Sequence, residues 1–306
     1  MSITEPGRHA GLSRDAFGRQ GFGAMRLNAD TLGDADRDPV AVVRAALDAG
    51  VTMVDTADVY RTEELVGRAI RGRREDVLLA SKFGLVFDEA GGFDVRADPH
   101  YLRQACDASL RRLDVEVIDL YYLHHRSETV PIEETVGAMA GLIEQGKVRA
   151  IGLSNVTADD LRRAHEVHQI AALQEEWSLV HRDIEQRLLP TAAELGVVVV
   201  PHSPNGHGLL HRAAPDENTD LHEALAEIAR AHEVAIGQVA LAWVHQRERV
   251  HGVPVVPIPG TTRVSHVRTN VAAAGLVLSD SELHRLDAPD TGAAAEPAEP
   301  PSDGGP

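Results

Sequence analysis

The 306-residue chain has a single cysteine, so no intrachain disulfide framework exists and a reducing compartment is expected. That residue, Cys106, lies in a helical pattern with Ala105 and Leu110 and reads as buried filler rather than a nucleophile. Long apolar runs are also missing. Nothing approaches the ~20 residues of a membrane span, and the opening Met1-Ser-Ile-Thr-Glu-Pro-Gly-Arg8 has no apolar signal core, so a cytoplasmic protein without membrane contact is expected. Basic residues are in deficit, 30 against 47 acidic ones, for a net charge of -17. Nucleic acid is thereby disfavoured as a partner, because phosphate binding draws on an excess of Lys and Arg. The 16 histidines form no zinc-like spacing, and no metal is expected. His202, His207 and His211 fall in one Pro/Gly-rich stretch and read as polar loop residues. The dinucleotide fingerprint G-x-G-x-x-G is absent too, since Gly21-Phe-Gly23 runs on through Ala24, Met25 and Arg26. Oligomeric state leaves no signal in the sequence.

What is present is alternation. Short apolar runs at 21–27, 51–55, 77–82, 117–124, 148–153, 170–174, 197–200 and 255–258 alternate with amphipathic helical stretches. Helix starts are marked by Asp38-Pro39, Asp98-Pro99, Thr157 with Asp160, and Ser279 with Glu282, and stops by Gly50, Gly146 and Gly196. Continuous apolar strands separated by helices predict a parallel sheet covered on both faces. Closed on itself, the sheet is a (β/α)8 TIM barrel, with a doubly wound open sheet as the second choice. The expected organisation is an irregular segment 1–20 forming a flap under the barrel, one barrel over 21–288, and a disordered Ala/Pro/Gly-rich tail over 289–306.

Three strands end on reactive side chains: Asp55, Lys82 and His124, with Tyr60 five residues after the first. A lysine ending an apolar strand costs several kcal/mol unless it is paired, and Asp55 is the obvious partner. Taken alone, such a pair reads as an internal ion pair. Tyr60 shifts the balance, because a nearby cation polarises a phenol into a competent acid for a carbonyl oxygen. His124 can donate to the same oxygen or relay the proton. Four such groups at strand ends predict one site at the open end of a parallel barrel.

The stretches carrying these residues are Val54-Asp-Thr-Ala-Asp-Val-Tyr60, Ala80-Ser-Lys-Phe-Gly84 and Ile118-Asp-Leu-Tyr-Tyr-Leu-His124. With Gly146-Lys-Val-Arg-Ala-Ile-Gly-Leu-Ser-Asn155, Ala172-Leu-Gln174 and Pro257-Ile-Pro-Gly-Thr-Thr-Arg263, they resemble the aldo-keto reductase superfamily along nearly all of residues 20–288. The resemblance implies a (β/α)8 barrel that reduces an aldehyde or ketone with NADPH by direct hydride transfer. It implies Tyr60 as general acid, with Lys82 and Asp55 lowering its pKa and His124 orienting the carbonyl. For NADPH it implies contacts from Ala24, Met25 and Asp55, from Ser154, Asn155 and Gln174 to the carboxamide, and from Trp177 stacking on the nicotinamide. Ser203, Gly206, Gly208 and Leu209 match the pyrophosphate segment. Gly260, Thr262, Arg263, His266 and Asn270 match the segment around the adenosine 2′-phosphate, with Arg263 as the phosphate contact. Arg26, Phe83 and His125 are expected to face the small-molecule carbonyl substrate, and Arg26 with Arg61 hints at a polar or anionic one.

Three departures from the family pattern stand out. Arg61 replaces a glycine and the loop before Glu63 is short; Asn205 and His207 replace Leu and Arg; and His266 stands where many members have arginine. The superfamily also includes potassium-channel β-subunits, which makes an NADPH-binding redox-sensing subunit with slow turnover the alternative.

Overall fold

The computed structural model of the chain describes residues 12–27, 35–87, 92–211 and 219–288. Its strands are β1 (Gly21–Gly23), β2 (Met53–Asp55), β3 (Leu78–Phe83), β4 (Leu85–Phe87), β5 (Phe93–Val95), β6 (Ile118–Leu123), β7 (Val148–Ser154), β8 (Ala172–Glu176) and β9 (Val198–His202). Between them run α1 (Pro39–Asp48), α2 (Glu63–Ile70), α3 (Pro99–Leu113), α4 (Ile132–Glu144), α5 (Ala158–Val167), α6 (Ile184–Arg187) and α7 (Leu189–Leu195). After β9 come α8 (Thr219–Ala231), α9 (Ile236–His251), α10 (Val264–Ala272) and α11 (Asp280–Asp287). The expected caps form: Asp38 accepts from the amides of Val40 and Ala41, Asp98 from that of Tyr101, and Thr157–Asp160 and Ser279–Glu282 are reciprocal boxes. The expected helix 184–195 is broken at Leu188, just before Pro190, whose nitrogen carries no hydrogen to continue it.

Seven strands pair in parallel in the order β1-β2-β3-β6-β7-β8-β9. The eighth expected strand, 255–258, makes only an isolated bridge from Val255 to Val199, yet it closes the (β/α)8 barrel. Val256 and Ile258 donate to Val199 O and Pro201 O on one side, and Gly21 and Gly23 donate to Pro257 O and Pro259 O on the other. Prolines 201, 257 and 259 have no N–H to return, so this seam carries carbonyls without the full ladder. Close approach replaces the missing bonds. A Cβ on Gly23 would lie 2.9 Å from Ile258 O, and one on Gly260 would lie 2.7 Å from Gly23 O.

The period of two along each strand separates two cores. Met53, Leu78, Ala80, Leu120, Tyr122, Ala150, Ala172, Val198, Val200, Val256 and Ile258 fill the barrel, and Phe17, from the 3-10 turn Arg14–Phe17, packs against them. Outward-facing residues such as Val54, Leu79, Tyr121, Ile151 and Leu173 pack with the helices. Gly152 is required by the interior: a Cβ there would stand 2.4 Å from the Tyr122 ring. One step further along the inward positions come Asp55, Lys82, His124, Ser154, Gln174 and His202, and the apolar filling gives way to polar chemistry. Residues 1–11 of the expected flap, and the tail from 289 on where disorder was expected, lie outside the described residues; the rest of the expected flap, 12–20, carries the turn Arg14–Phe17.

Sequence reasoning did not anticipate the antiparallel pair β4–β5, in which Phe87 stands opposite Phe93. It leaves β3 at Gly84, whose φ of 110° lies in the left-handed half of backbone space.

Candidate active site

Asp55 and Lys82 meet inside the mouth of the barrel, Lys82 Nζ donating to Asp55 Oδ1 at 2.5 Å and to Thr56 O at 2.9 Å. Both are buried, Lys82 completely. Burial opposes the lysine's charge, but the Asp55 carboxylate, with Tyr60 behind it, holds its pKa above the ordinary value. Gln174 Nε2 donates to the other Asp55 oxygen at 2.9 Å, so the carboxylate is braced from two strands. Tyr60 closes the turn Asp58–Tyr60 directly after β2, and Arg61 behind it takes the left-handed conformation at φ 59°, the geometry for which a glycine is suited. The Tyr60 ring lies with Lys82 Nζ 5.0 Å from its centroid, and its hydroxyl is 3.1 Å from His124 Nε2. The four strand-end residues therefore form one cluster.

The electrostatics correct one expectation. Burial is the largest influence on Tyr60 and raises its pKa above 10.0; Lys82 pulls it down, while the Asp55 carboxylate pushes it up rather than down. At neutral pH Tyr60 is therefore a protonated donor. His124 is held neutral, its pKa lowered to about 2 first by burial and then by Lys82 and the neighbouring histidines. A neutral imidazole can orient an oxygen, but it does not serve as a proton reservoir near pH 7, so the relay is disfavoured.

Above the cluster opens a cavity of about 660 Å³. Its polar wall includes Ser154, Asn155, Gln174, His202 and Ser203, and its apolar wall Met25, Val59, Leu85, Phe87 and Phe93. Asn155 and Ser203 both take positive φ, 53° and 49°, where β7 and β9 turn into their loops. Asn155 Nδ2 donates to His124 O at 2.9 Å and so ties the β7 loop to the end of β6. Among the described residues, no group of three or more His, Cys, Asp or Glu is placed to hold a metal, and no helix is long and apolar enough to cross a membrane.

The model of the Aldo/keto reductase family matches residues 20–290. The chain belongs to that family. It is 40% identical over 294 residues to a probable aldo-keto reductase 1 of Glycine max, covering 87% of this chain and 83% of that one. Among solved structures, an aldo/keto reductase from Klebsiella pneumoniae, in complex with NADP and acetate, is 33% identical with a TM-score of 0.74, over 88% of this chain and 90% of that one. A glycerol dehydrogenase from Gluconobacter oxydans superposes with a TM-score of 0.80 at 27% identity, over 91% and 94% of the two chains.

Against the aldo/keto reductase expectations, the structure brings Met25, Arg26, Asp55, Ser154, Asn155, Gln174, Ser203, Gly208 and Gly260 to the cavity wall. Others lie elsewhere. Trp177 is fully buried on the outer face of the barrel, edge-on to Trp243, its Nε1 donating to Glu185 Oε1 at 3.1 Å. It follows Gln174 by three, an odd step, and the alternation turns it outward. Phe83 is turned outward for the same reason and stacks on Tyr121. His125 sits beside the mouth near the Phe93 ring, its Nδ1 facing Arg126 O, and is not part of the cavity wall. Ala24 is wholly buried, and its amide donates to Asp55 O. Gly206 backs onto Val180, and Leu209 points to solvent. Thr262, Arg263, His266 and Asn270 lie outside the cavity, the first two just before α10, His266 in its first turn and Asn270 near its end. His202, read from the sequence as a loop residue, instead ends β9 and lines the cavity; burial lowers its pKa to about 3 and leaves it neutral. Its signal was available, since it sits two positions beyond the inward Val200.

Proposed function

We propose that the chain is an NADPH-dependent carbonyl reductase with Tyr60 as the proton donor. The observation that carries this reading is the Tyr60 hydroxyl, protonated at neutral pH, 3.1 Å from a neutral His124 and backed by the buried Lys82–Asp55 pair. A carbonyl oxygen placed between Tyr60 and His124 accepts two hydrogen bonds that strengthen as negative charge develops on it, and electrostatic preorganisation of this kind is where catalysis gains most. Lys82 stabilises the phenolate left behind once the proton has moved, and Asp55 holds the lysine charged for that purpose.

The cavity fits the cofactor on its own features. Asn155, Ser203 and Gly208 present left-handed backbone at the mouth, where amides and small side chains admit a phosphate-bearing chain. Bound NADPH supplies the hydride that reaches the carbonyl carbon. Ser154, Asn155 and Gln174 would hold its carboxamide, and His202, which lines the cavity where Trp177 does not, would offer a flat face to the ring. Gly260 and Arg263 belong to the adenosine end. The Met25, Val59, Phe87 and Phe93 wall receives the substituents of the aldehyde or ketone.

The test is the loss of NADPH absorbance with 4-nitrobenzaldehyde, comparing the wild type with Tyr60→Phe. Turnover is expected to fall by about 10²–10⁴ in the variant while NADPH affinity stays within a factor of two. Equal turnover in both proteins would remove Tyr60 from the mechanism.

A further inference from the structure

The start of α10 already carries an anion, and the anion is part of the chain. Asp36, from the segment between β1 and α1, accepts the Ser265 amide at Oδ1 (2.8 Å) and the Ser265 hydroxyl at Oδ2 (2.9 Å). The Arg263 guanidinium approaches the same Oδ2 at 3.3 Å. Arg263 is the N-cap residue of this nine-residue helix and caps nothing with its own side chain. One carboxylate thus engages a helix N-terminal amide, a hydroxyl and a guanidinium, a donor set suited to a phosphate monoester. These contacts hold Asp36 ionised below its ordinary range, the Ser265 amide contributing most. Three residues earlier, Gly260 lines the cavity mouth, so a long ligand leaving the cavity along this segment reaches the Asp36 cluster.

We propose that Asp36 is a specificity-determining residue that occupies, in the free protein, the subsite of the NADPH 2′-phosphate, and so narrows the preference for NADPH over NADH. This rests on the assignment of Arg263 to the adenosine end of the cofactor. To be held by Ser265 and Arg263, the 2′-phosphate must displace the carboxylate or share their donors with it. Both groups are anionic, and both cannot be fully satisfied by one guanidinium and one helix terminus. NADH has a 2′-hydroxyl and makes no such demand. Asp36 therefore acts against the phosphorylated cofactor selectively. Ser265, absent from the residues singled out in the sequence, becomes the central donor of the subsite.

The experiment is a fluorescence titration of NADPH and NADH, with 2′-AMP as a competing probe, on wild type, Asp36→Asn, Asp36→Ala and Arg263→Ala, each checked for an unchanged thermal midpoint. Both Asp36 variants are expected to bind NADPH and 2′-AMP about tenfold more tightly with NADH unchanged within twofold, while Arg263→Ala weakens NADPH alone. Equal shifts for the two cofactors, or none, would reduce Asp36 to a remote helix cap and overturn the proposal, even if Arg263→Ala behaves as expected and the reductase reading stands. Failure of wild type to bind either cofactor would overturn both readings together.

Discussion

Replacing Asp55 by asparagine keeps the side chain's shape and removes the charge that faces Lys82 at 2.5 Å in a site where the lysine has no solvent exposure. The ammonium keeps Thr56 O as an acceptor but loses its carboxylate. Breaking a buried pair in this way costs about 3–5 kcal/mol, a large part of the ~5–15 kcal/mol that holds a domain together. The pH dependence separates this from generic damage. In the wild type Lys82 has a pKa raised above 10.5, so its contribution is present at lower pH and lost as pH rises through the folded value. In the variant, burial remains and the carboxylate's pull is gone, so the folded pKa falls below the unfolded one. The unfolded chain then binds more protons in that window, and stability rises with pH. Urea unfolding at pH 7 should show the full loss, and at pH 9.5 part of it should be recovered, while the wild type gains nothing. Asp55→Leu combined with Lys82→Met, which leaves no buried charge, should regain most of the stability. A single variant within about 1 kcal/mol of wild type at pH 7, or a deficit that does not change with pH, would refute the account.

Arg61→Gly should stabilise the protein by about 1 kcal/mol in urea unfolding, because glycine takes the left-handed conformation without a steric cost; destabilisation would show that the Arg61 side chain matters more than its backbone. Glu175 is buried at the end of β8, accepts the Val156 amide, and has its pKa raised from 4.5 to about 7 by burial. The folded state thus holds an extra proton between those values, so stability falls as pH rises across them and the penalty is complete above 7. Glu175→Gln should therefore be more stable than wild type by roughly 1–3 kcal/mol at pH 8 and equal to it near pH 4.5; a difference in melting temperature that is constant across pH would exclude this. Finally, His202→Ala should weaken NADPH binding about tenfold in a fluorescence titration while Trp177→Phe changes it less than twofold, and the reverse ranking would return the stacking role to the tryptophan.

Much of the barrel was legible because its strands are buried on both faces and read as plain apolar runs; Val77–Ser81 and Val197–Val200 needed no context. The cluster of Asp55, Tyr60, Lys82 and His124 was legible for the opposite reason, a charged or polar side chain where such a run stops. Direction was less accessible. Trp177 and Phe83 lie close in sequence to inward-facing Gln174 and Lys82, and one step of alternation decides whether a side chain meets the barrel mouth or the helices. The last strand failed as a ladder because its prolines withhold donors, a chemical fact visible in Pro257 and Pro259 but easily passed over in an apolar run. The β4–β5 pair was invisible because it is set by pairing between short segments rather than by a strong pattern in either. Asp36 and Ser265, 229 residues apart, meet only through the closure of the barrel.

That closure has a consequence for how the protein ages. Around most of the barrel each strand is locked to its neighbours by ladders, but the 254–259 segment is held to the strands on either side by five backbone amide donors: Val199, Val256, Ile258, Gly21 and Gly23. Local opening begins where protecting bonds are fewest, so amide exchange and proteolysis should enter the molecule at this seam before the remainder loosens. Gly23 and Gly260 bring the two sides of the seam to the wall of the same cavity. A cofactor lying across that mouth would bridge the two edges and, at a hundred times its dissociation constant, would add about 2.7 kcal/mol against opening. The lifetime of the folded chain would then be set partly by the concentration of free dinucleotide around it, and a drop in that pool would be felt first as a parting of the barrel at its proline-rich edge.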